Sequence, residues 1–134
     1  MTEKFDKEKL IRYWIESSDN DFKTMNDLFE TQNYNWSLFM GHLVIEKLLK
    51  ACYVNHNKEH PVLTHNLLKL ALKSGVDVND ELQLQLVTIT SFNLNARYDD
   101  YKMVFYKKCT PEYTADWLNQ IKNLSLWIKK QYLS

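Results

Sequence analysis

The sequence has few of the residues that interrupt secondary structure. Its 134 residues include only two glycines and two prolines, well below the roughly 7% and 5% of average usage. A sandwich or barrel of many short strands needs more turn residues than this. Gly41 and Gly75 are also too far apart to form a glycine-rich phosphate-binding loop. The composition therefore favours a helical protein and excludes P-loop and Rossmann nucleotide sites.

Other absences limit the class of protein and the cell compartment in which we expect it. Cys52 and Cys109 are too few and too distant for a CxxC pair or a disulfide framework, which predicts free thiols. The sequence contains no run of about 18 apolar residues, and its start, MTEKFDKEKL, lacks the apolar stretch of a secretory signal. Seventeen basic residues balance seventeen acidic ones, so no net field draws the chain to nucleic acid or membrane. We expect a cytoplasmic protein with no membrane contact.

The apolar residues recur at helical spacing, and 134 residues fit a single domain, 1–134. The predicted helices are residues 7–30 after an Asp6 N-cap, a central helix carrying 36–52, a short helix from Thr64 or His65 to Gly75, a helix from Asn79 or Asp80 to about Ala96, and a last helix entered through Thr110-Pro111. Residues 97–110 are expected to form a loop. The predicted fold is all-α, an up-and-down bundle of four long helices plus one short helix.

The central predicted helix is apolar around most of its circumference, which is typical of a helix inside a bundle. His42, Glu46 and Lys50 interrupt it at intervals of four, so their side chains stack on one face. We call them the polar line. Glu46 followed by Lys50 is the favourable orientation for an ion pair on a solvated helix, and a solvated strip is the simplest interpretation. If a second subunit covers the polar line, it becomes an interface or a pocket wall.

The segment Asn93–Tyr101 is the richest in chemically active side chains. Arg97 offers a planar fork for a carboxylate or a phosphate, and Tyr98 adds an aromatic face and a hydroxyl. A purely structural role competes with this interpretation. A bond from Arg97 to Asp21 or Glu46 would hold helices in register and satisfy a carboxylate on a packed face.

The histidines do not predict a metal site. His56 and His60 fall in a polar break without a nearby cysteine pair, and the spacing of all four histidines matches neither a zinc finger nor HExxH. Thr64-His65 indicates a helix N-cap first and a site residue second. We therefore expect neither metal nor cofactor.

Several segments together resemble the HEPN domain, the helical family named for nucleotide binding in higher eukaryotes and prokaryotes. They are Trp14 with Asp21-Phe22, Phe39 through Glu46-Lys47-Leu-Leu-Lys50-Ala51, Thr64-His65-Asn66-Leu67, and Ala96-Arg97-Tyr98-Asp99. The resemblance spans nearly the whole chain. Asn66 and Asp99 stand where the family usually has Asp and Pro.

The resemblance implies a bundle that commonly dimerises and that is often encoded beside a minimal nucleotidyltransferase, in toxin–antitoxin-like pairs. Together with the polar line, the resemblance favours a non-catalytic module that binds a nucleotide or that partner as a homodimer. On this interpretation, the expected ligand-binding residues are Arg97, Tyr98, Asp99, Glu46, Lys50 and His65, with Asp21, His42 and Lys47 as structural or supporting residues.

Some family members are metal-independent endoribonucleases, which is the alternative function. That branch carries an arginine followed four to six residues later by a histidine. No histidine follows Arg97 in this sequence, so the usual general acid or base is missing. RNA cleavage would require His65 or His42 to lie near Arg97 in the fold.

Overall fold

The computed structural model describes residues 5–134, apart from the side chain of Asp99. This part of the chain forms helices and no strands. The helices are α1 (Lys7–Glu30), α2 (Tyr34–Asn57), α3 (Leu67–Lys73), α4 (Asp80–Arg97), α5 (Asp99–Lys108) and α6 (Pro111–Tyr132). The predicted all-α bundle, with four long helices and a short third one, is confirmed.

The helix ends follow from local side-chain chemistry. Asp6, Asn79 and Thr110 each accept a hydrogen bond from the backbone N–H three residues further on, which satisfies a donor that the helix itself leaves unpaired. Gly75 follows α3 with φ of 76°, a left-handed conformation that ends a helix at little cost only for glycine. These four boundaries agree with the prediction from the sequence.

The start of α3 differs from the prediction. Asn66, rather than Thr64 or His65, caps the helix, because its side chain accepts from the Lys69 N–H. Thr64 instead accepts from the Asn66 N–H through its hydroxyl. Residues 64–66 therefore precede the helix, and His65 lies outside regular secondary structure.

The prediction of a loop at residues 97–110 is wrong over most of its length, because α5 occupies 99–108. Among the α5 side chains that the structure describes, only Phe105 is buried in the core, where its ring lies 5.7 Å from that of Phe92. Such a helix has no apolar stripe to reveal it in the sequence.

The α2 helix occupies the centre of the bundle and contacts every other helix. It approaches two of its neighbours closely at Gly41, where an added Cβ would lie 2.6 Å from Ile121 Cδ1 of α6 and 3.3 Å from Met25 Sδ of α1. The hydroxyl of Ser18 donates to the Val44 carbonyl across the α1–α2 contact. In the described part of the chain, no helix is both long enough and apolar enough to cross a membrane.

Candidate functional site

The polar line on α2 is buried. His42 has no exposed surface, Glu46 is 3% exposed and Lys50 is 9% exposed. The interpretation of this line as a solvated strip is therefore wrong. Part of the cover comes from α1, because the Trp14 ring lies 4.9 Å from the Lys50 ammonium, within the range of a cation–π contact.

Glu46 is the centre of the buried cluster. Its Oε1 accepts from His65 Nδ1 at 2.7 Å, and its Oε2 accepts from Lys50 Nζ at 3.1 Å. Both carboxylate oxygens are thus bonded to a nitrogen donor, as a buried carboxylate requires. The side chain of His65 is itself 62% exposed. A buried acid of α2 therefore orients an imidazole whose outer edge faces solvent.

His42 holds the backbone of the same loop residue. Its Nε2 lies 3.0 Å from the His65 carbonyl, and because a carbonyl can only accept, this nitrogen carries the proton. The other ring nitrogen, Nδ1, accepts from Asn93 Nδ2 at 3.4 Å. Burial lowers the pKa of His42 below its ordinary 6.5, outweighing the opposing effects of the His65 carbonyl and Glu46. His42 is therefore neutral at pH 7.

Arg97 ends this network at the surface. Its Nε donates to the Asn93 carbonyl at 3.1 Å, and its terminal NH2 group donates to Asn93 Oδ1. These bonds take the place of the predicted bond from Arg97 to Asp21 or Glu46. That prediction is therefore wrong. Asp21 instead pairs with Lys47 at 2.6 Å, which ties α1 to α2. The Arg97 side chain is exposed and lies over the Tyr98 ring, with 5.3 Å from Cζ to the ring centroid.

The hydrogen bonds from Arg97 to His65 all run in one direction. Arg97 donates to Asn93, Asn93 donates to His42, and His42 donates to the His65 carbonyl. Bonds arranged head to tail polarise one another, particularly where little water reaches them. The chain of bonds links the C-terminal end of α4 to the loop before α3 through the centre of the molecule.

Asn93 is the member of this network that the sequence did not reveal. It is 6% exposed and lies on the buried face of α4, between Ile89 and Ala96 at helical spacing. That position is the signal that could have identified it, because a buried amide on an apolar stripe needs partners.

The structure divides the predicted site residues into two groups. The network and its exposed ends contain Arg97, Tyr98, His65, His42, Glu46 and Lys50. Asp21 and Lys47 form a separate ion pair. The predicted contribution of the Asp99 side chain lies outside the described part of the structure. Among the described residues, no group of three or more His, Cys, Asp or Glu side chains could hold a metal ion.

The exposed ends of the network have complementary chemistry. The Arg97 guanidinium presents N–H donors beside an aromatic ring, an arrangement suited to a phosphate next to a planar base. Because His65 donates to Glu46 through Nδ1, the other nitrogen of its exposed ring, Nε2, can accept a hydrogen bond from a ligand.

The sequence matches the HEPN domain profile over residues 11–131, and the chain belongs to the HEPN domain family. The fold is similar to the crystal structure of TT1696 from Thermus thermophilus, with a TM-score of 0.76 and 16% identity, over 90% of this chain and 96% of that one. No match to a curated protein was found.

Proposed function

We propose that this chain is a non-catalytic binding module of the HEPN type, which takes a nucleotide at the exposed ends of the network. Arg97 binds a phosphate, Tyr98 provides an aromatic face for the base, and His65 contributes a further polar contact. The observation that carries the proposal is the buried Glu46, which orients the exposed imidazole of His65.

The energetics of the cluster support a functional role. Removing a carboxylate and an ammonium from water costs several kcal/mol per ion, and their attraction often only offsets that cost. Apolar side chains at the positions of Glu46 and Lys50 would fill the core without this cost. A cluster that contributes little net stability, yet fixes one exposed histidine, is better explained by what that histidine binds.

We further propose that the protein acts as a homodimer and works with a minimal nucleotidyltransferase, as one member of a toxin–antitoxin-like pair. Membership in the HEPN domain family supports this partner class. The exposed face of α5 beside the site is a suitable contact surface, since Tyr101, Met103 and Val104 are each more than half exposed.

Titration calorimetry with ATP, GTP and a short single-stranded RNA tests the binding proposal. We expect binding of at least one of them, and we expect Arg97→Ala to weaken it at least tenfold, or about 1.4 kcal/mol. Arg12→Ala is the matched control, because Arg12 is the only other arginine and is exposed on α1. The melting temperature of Arg97→Ala should fall modestly, because the buried Asn93 loses the donor to its Oδ1.

The partner proposal is tested by co-expression with the nucleotidyltransferase encoded nearest to this chain, followed by purification through a tag on one protein. We expect the two to co-purify. If no nucleotide binds to the wild-type protein and no nucleotidyltransferase co-purifies, the proposed function is wrong.

A second candidate, a metal-independent endoribonuclease, is favoured by one observation. In the dyad of His65 and Glu46 the ring donates through Nδ1, which leaves Nε2 at the exposed edge to take the proton of a ribose 2′-hydroxyl. The 2′-oxygen would then attack phosphorus while the bond from phosphorus to the 5′-oxygen breaks, and the 5′-oxygen would take up a proton from water, leaving a 2′,3′-cyclic phosphate. The absence of a histidine after Arg97 disfavours this function.

The ribonuclease candidate predicts cleavage of total RNA in EDTA, to fragments that end in 2′,3′-cyclic phosphate. His65→Ala should abolish the cleavage. His60→Ala should preserve the cleavage. His60 is exposed in the same loop, but the Glu46 carboxylate bonds His65 and not His60. Intact RNA after incubation with the wild-type protein excludes this candidate.

A further inference from the structure

A cleft opens between α4 and α6. Both helices pack on α2 and hardly on each other, and the cleft occupies the gap with a volume of about 350 Å³. This volume lies within the range of sites that bind small molecules. Leu82 and Leu124 line the cleft and are both buried, so its base is apolar. We call this feature the α4–α6 cleft.

The α4–α6 cleft is separate from the network around His65. Glu81 lines the cleft from the first turn of α4, whereas Arg97 is the last residue of the same helix. A helical rise of about 1.5 Å per residue separates these two positions by about 24 Å. One small ligand cannot contact both, so the cleft has no part in the proposed nucleotide site.

Hydrogen bonds and a ring contact hold the walls of the cleft in place. Nε2 of Gln85 on α4 donates to Oε1 of Gln120 on α6 at 3.2 Å. The rings of Trp127 and Tyr132 meet edge to face with their centroids 5.5 Å apart. The Tyr132 hydroxyl in turn accepts from the Asp77 N–H at 3.0 Å. These contacts preorganise the cleft, which lowers the entropic cost of binding a ligand.

Four of the nine residues that line the cleft carry amide side chains, which both donate and accept hydrogen bonds. Asn79 Oδ1 accepts from the Leu82 N–H at 2.8 Å, which leaves the amide N–H groups of Asn79 as donors for a ligand. Gln85 donates to Gln120, which leaves its own oxygen as an acceptor. The exposed Asn123 offers both kinds of group. The cleft therefore presents a mixture of donors and acceptors.

This mixture decides among the classes of ligand. Asp77 and Glu81 add two carboxylates, and among the residues that the structure shows around the cleft none is basic, so an anion is repelled. An ammonium or guanidinium can only donate. It would displace water from the amide N–H groups without replacing the hydrogen bonds of that water, which weakens binding. The pull of the carboxylates on a cation is also reduced, because the α4 dipole offsets the charge of Glu81 in the first turn.

We propose that the α4–α6 cleft binds a neutral pyranose sugar. Hydroxyl groups donate and accept, so they match the amides and the carboxylates alike. Asp77 and Glu81 accept from sugar hydroxyls, and Asn123 both donates and accepts. The 36% exposed Trp127 provides an aromatic surface for the apolar C–H face of the sugar ring. This inference does not depend on the proposed nucleotide function, because no residue belongs to both sites.

Nuclear magnetic resonance of the isotope-labelled chain tests the proposal. The probes are glucose, galactose, mannose and N-acetylglucosamine, each also as its methyl glycoside, which represents the end of a glycan. We expect at least one probe to shift the indole N–H signal of Trp127 until it saturates, while the signals of Trp14, Trp36 and Trp117 stay in place. Loss of one signal in Trp127→Phe identifies it. Binding of the methyl glycoside alone would support the proposal with a glycan as the source of the sugar.

Substitutions on α6 locate the binding site. Asn123→Ala should weaken sugar binding about three- to tenfold, as expected for the loss of a neutral hydrogen bond. Asn119→Ala is the matched control, because Asn119 is exposed one turn earlier on the same helix but does not line the cleft. Both variants should bind nucleotide as the wild-type protein does, so failure of the nucleotide proposal would leave this test unaffected.

Spermidine and inorganic phosphate, titrated in the same way, represent a cation and an anion. If either of them shifts the Trp127 signal and no sugar does, charge selects the ligand and the proposal is wrong. The proposal is also wrong if none of the compounds shifts that signal. Equal weakening of sugar binding by Asn119→Ala and Asn123→Ala would overturn the placement of the sugar in the cleft.

Discussion

At the scale of single residues, Glu46 is the side chain on which the buried cluster depends most. In Glu46→Gln, the neutral amide leaves the ammonium of Lys50 in a 9% exposed position without its counter-charge. Breaking one half of a buried ion pair typically costs about 3–5 kcal/mol. We expect the free energy of unfolding in urea to fall by about that amount, and the loop containing His65 to loosen.

A surface pair in the same molecule is the control for this loss. Lys129 and Asp19 are 2.7 Å apart but well exposed, and such pairs contribute about 0–1 kcal/mol. Asp19→Asn should therefore have little effect. If Glu46→Gln and Asp19→Asn lower the free energy of unfolding by the same amount, Glu46 is not the electrostatic centre of the cluster.

The double variant Glu46→Leu/Lys50→Leu should recover much of the stability that Glu46→Gln loses, but without Glu46 the His65 ring should lose its orientation.

His42 should make the stability depend on pH. Burial lowers its pKa below 6.5, so the unfolded chain takes up a proton here at a higher pH than the folded one does. This residue's contribution to stability is therefore present above pH 6.5 and is lost as the pH falls below that value.

The difference between the wild-type protein and His42→Gln isolates this effect from the other histidines. Unfolding free energies measured between about pH 8 and about pH 5 should fall more steeply in the wild-type protein. Parallel curves for the two proteins would mean that His42 titrates normally.

At the scale of helices, Gly41 sets how closely α1, α2 and α6 pack. Ile121 Cδ1 would lie 2.6 Å from an added Cβ. The larger side chain in Gly41→Val must therefore displace the side chains that pack against this position. Overpacking of this kind costs about 1–3 kcal/mol. We expect a lower melting temperature, measured by circular dichroism. An unchanged value would show that Ile121 turns aside without cost.

The long helices could be predicted from the sequence because each combines end signals with a run of apolar residues. Asp6 and Thr110 mark two of the starts, and the periodic apolar residues that follow mark their extent. In the short helix α5, Phe105 packs in the core while its neighbours Met103 and Val104 face outward. A single anchor sets no period, so α5 could not be distinguished from a loop.

At the scale of the whole molecule, the two cysteines report on global opening. Both are free and buried, and burial raises the pKa of Cys52 to about 12 and that of Cys109 to about 11. Since only the thiolate reacts, we expect neither to be alkylated by iodoacetamide in mildly alkaline buffer in the folded protein, and both to react in urea. Rapid labelling without denaturant would indicate local opening.

The site was less predictable than the fold, because it depends on how separate helices come together. The spacing of His42, Glu46 and Lys50 shows that they share one face of a helix, but not whether that face is exposed to solvent. The partner of Arg97 was also undetermined, since carboxylates on α1 and α2 compete for it with the amide of Asn93 on its own helix. Only the packing of α4 against α2 selects among them.

The head-to-tail bonds from Arg97 through Asn93 to His42 give the interior a sensor for events at the surface. An anion that draws the guanidinium outward weakens the hydrogen bond from Arg97 to the Asn93 amide oxygen. The hydrogen bond from the same amide to Nδ1 of His42 then changes as well. The nitrogen resonances of a ring that no solvent touches should therefore shift when the ligand arrives, so occupancy of the outer site could be followed by spectroscopy from inside the bundle.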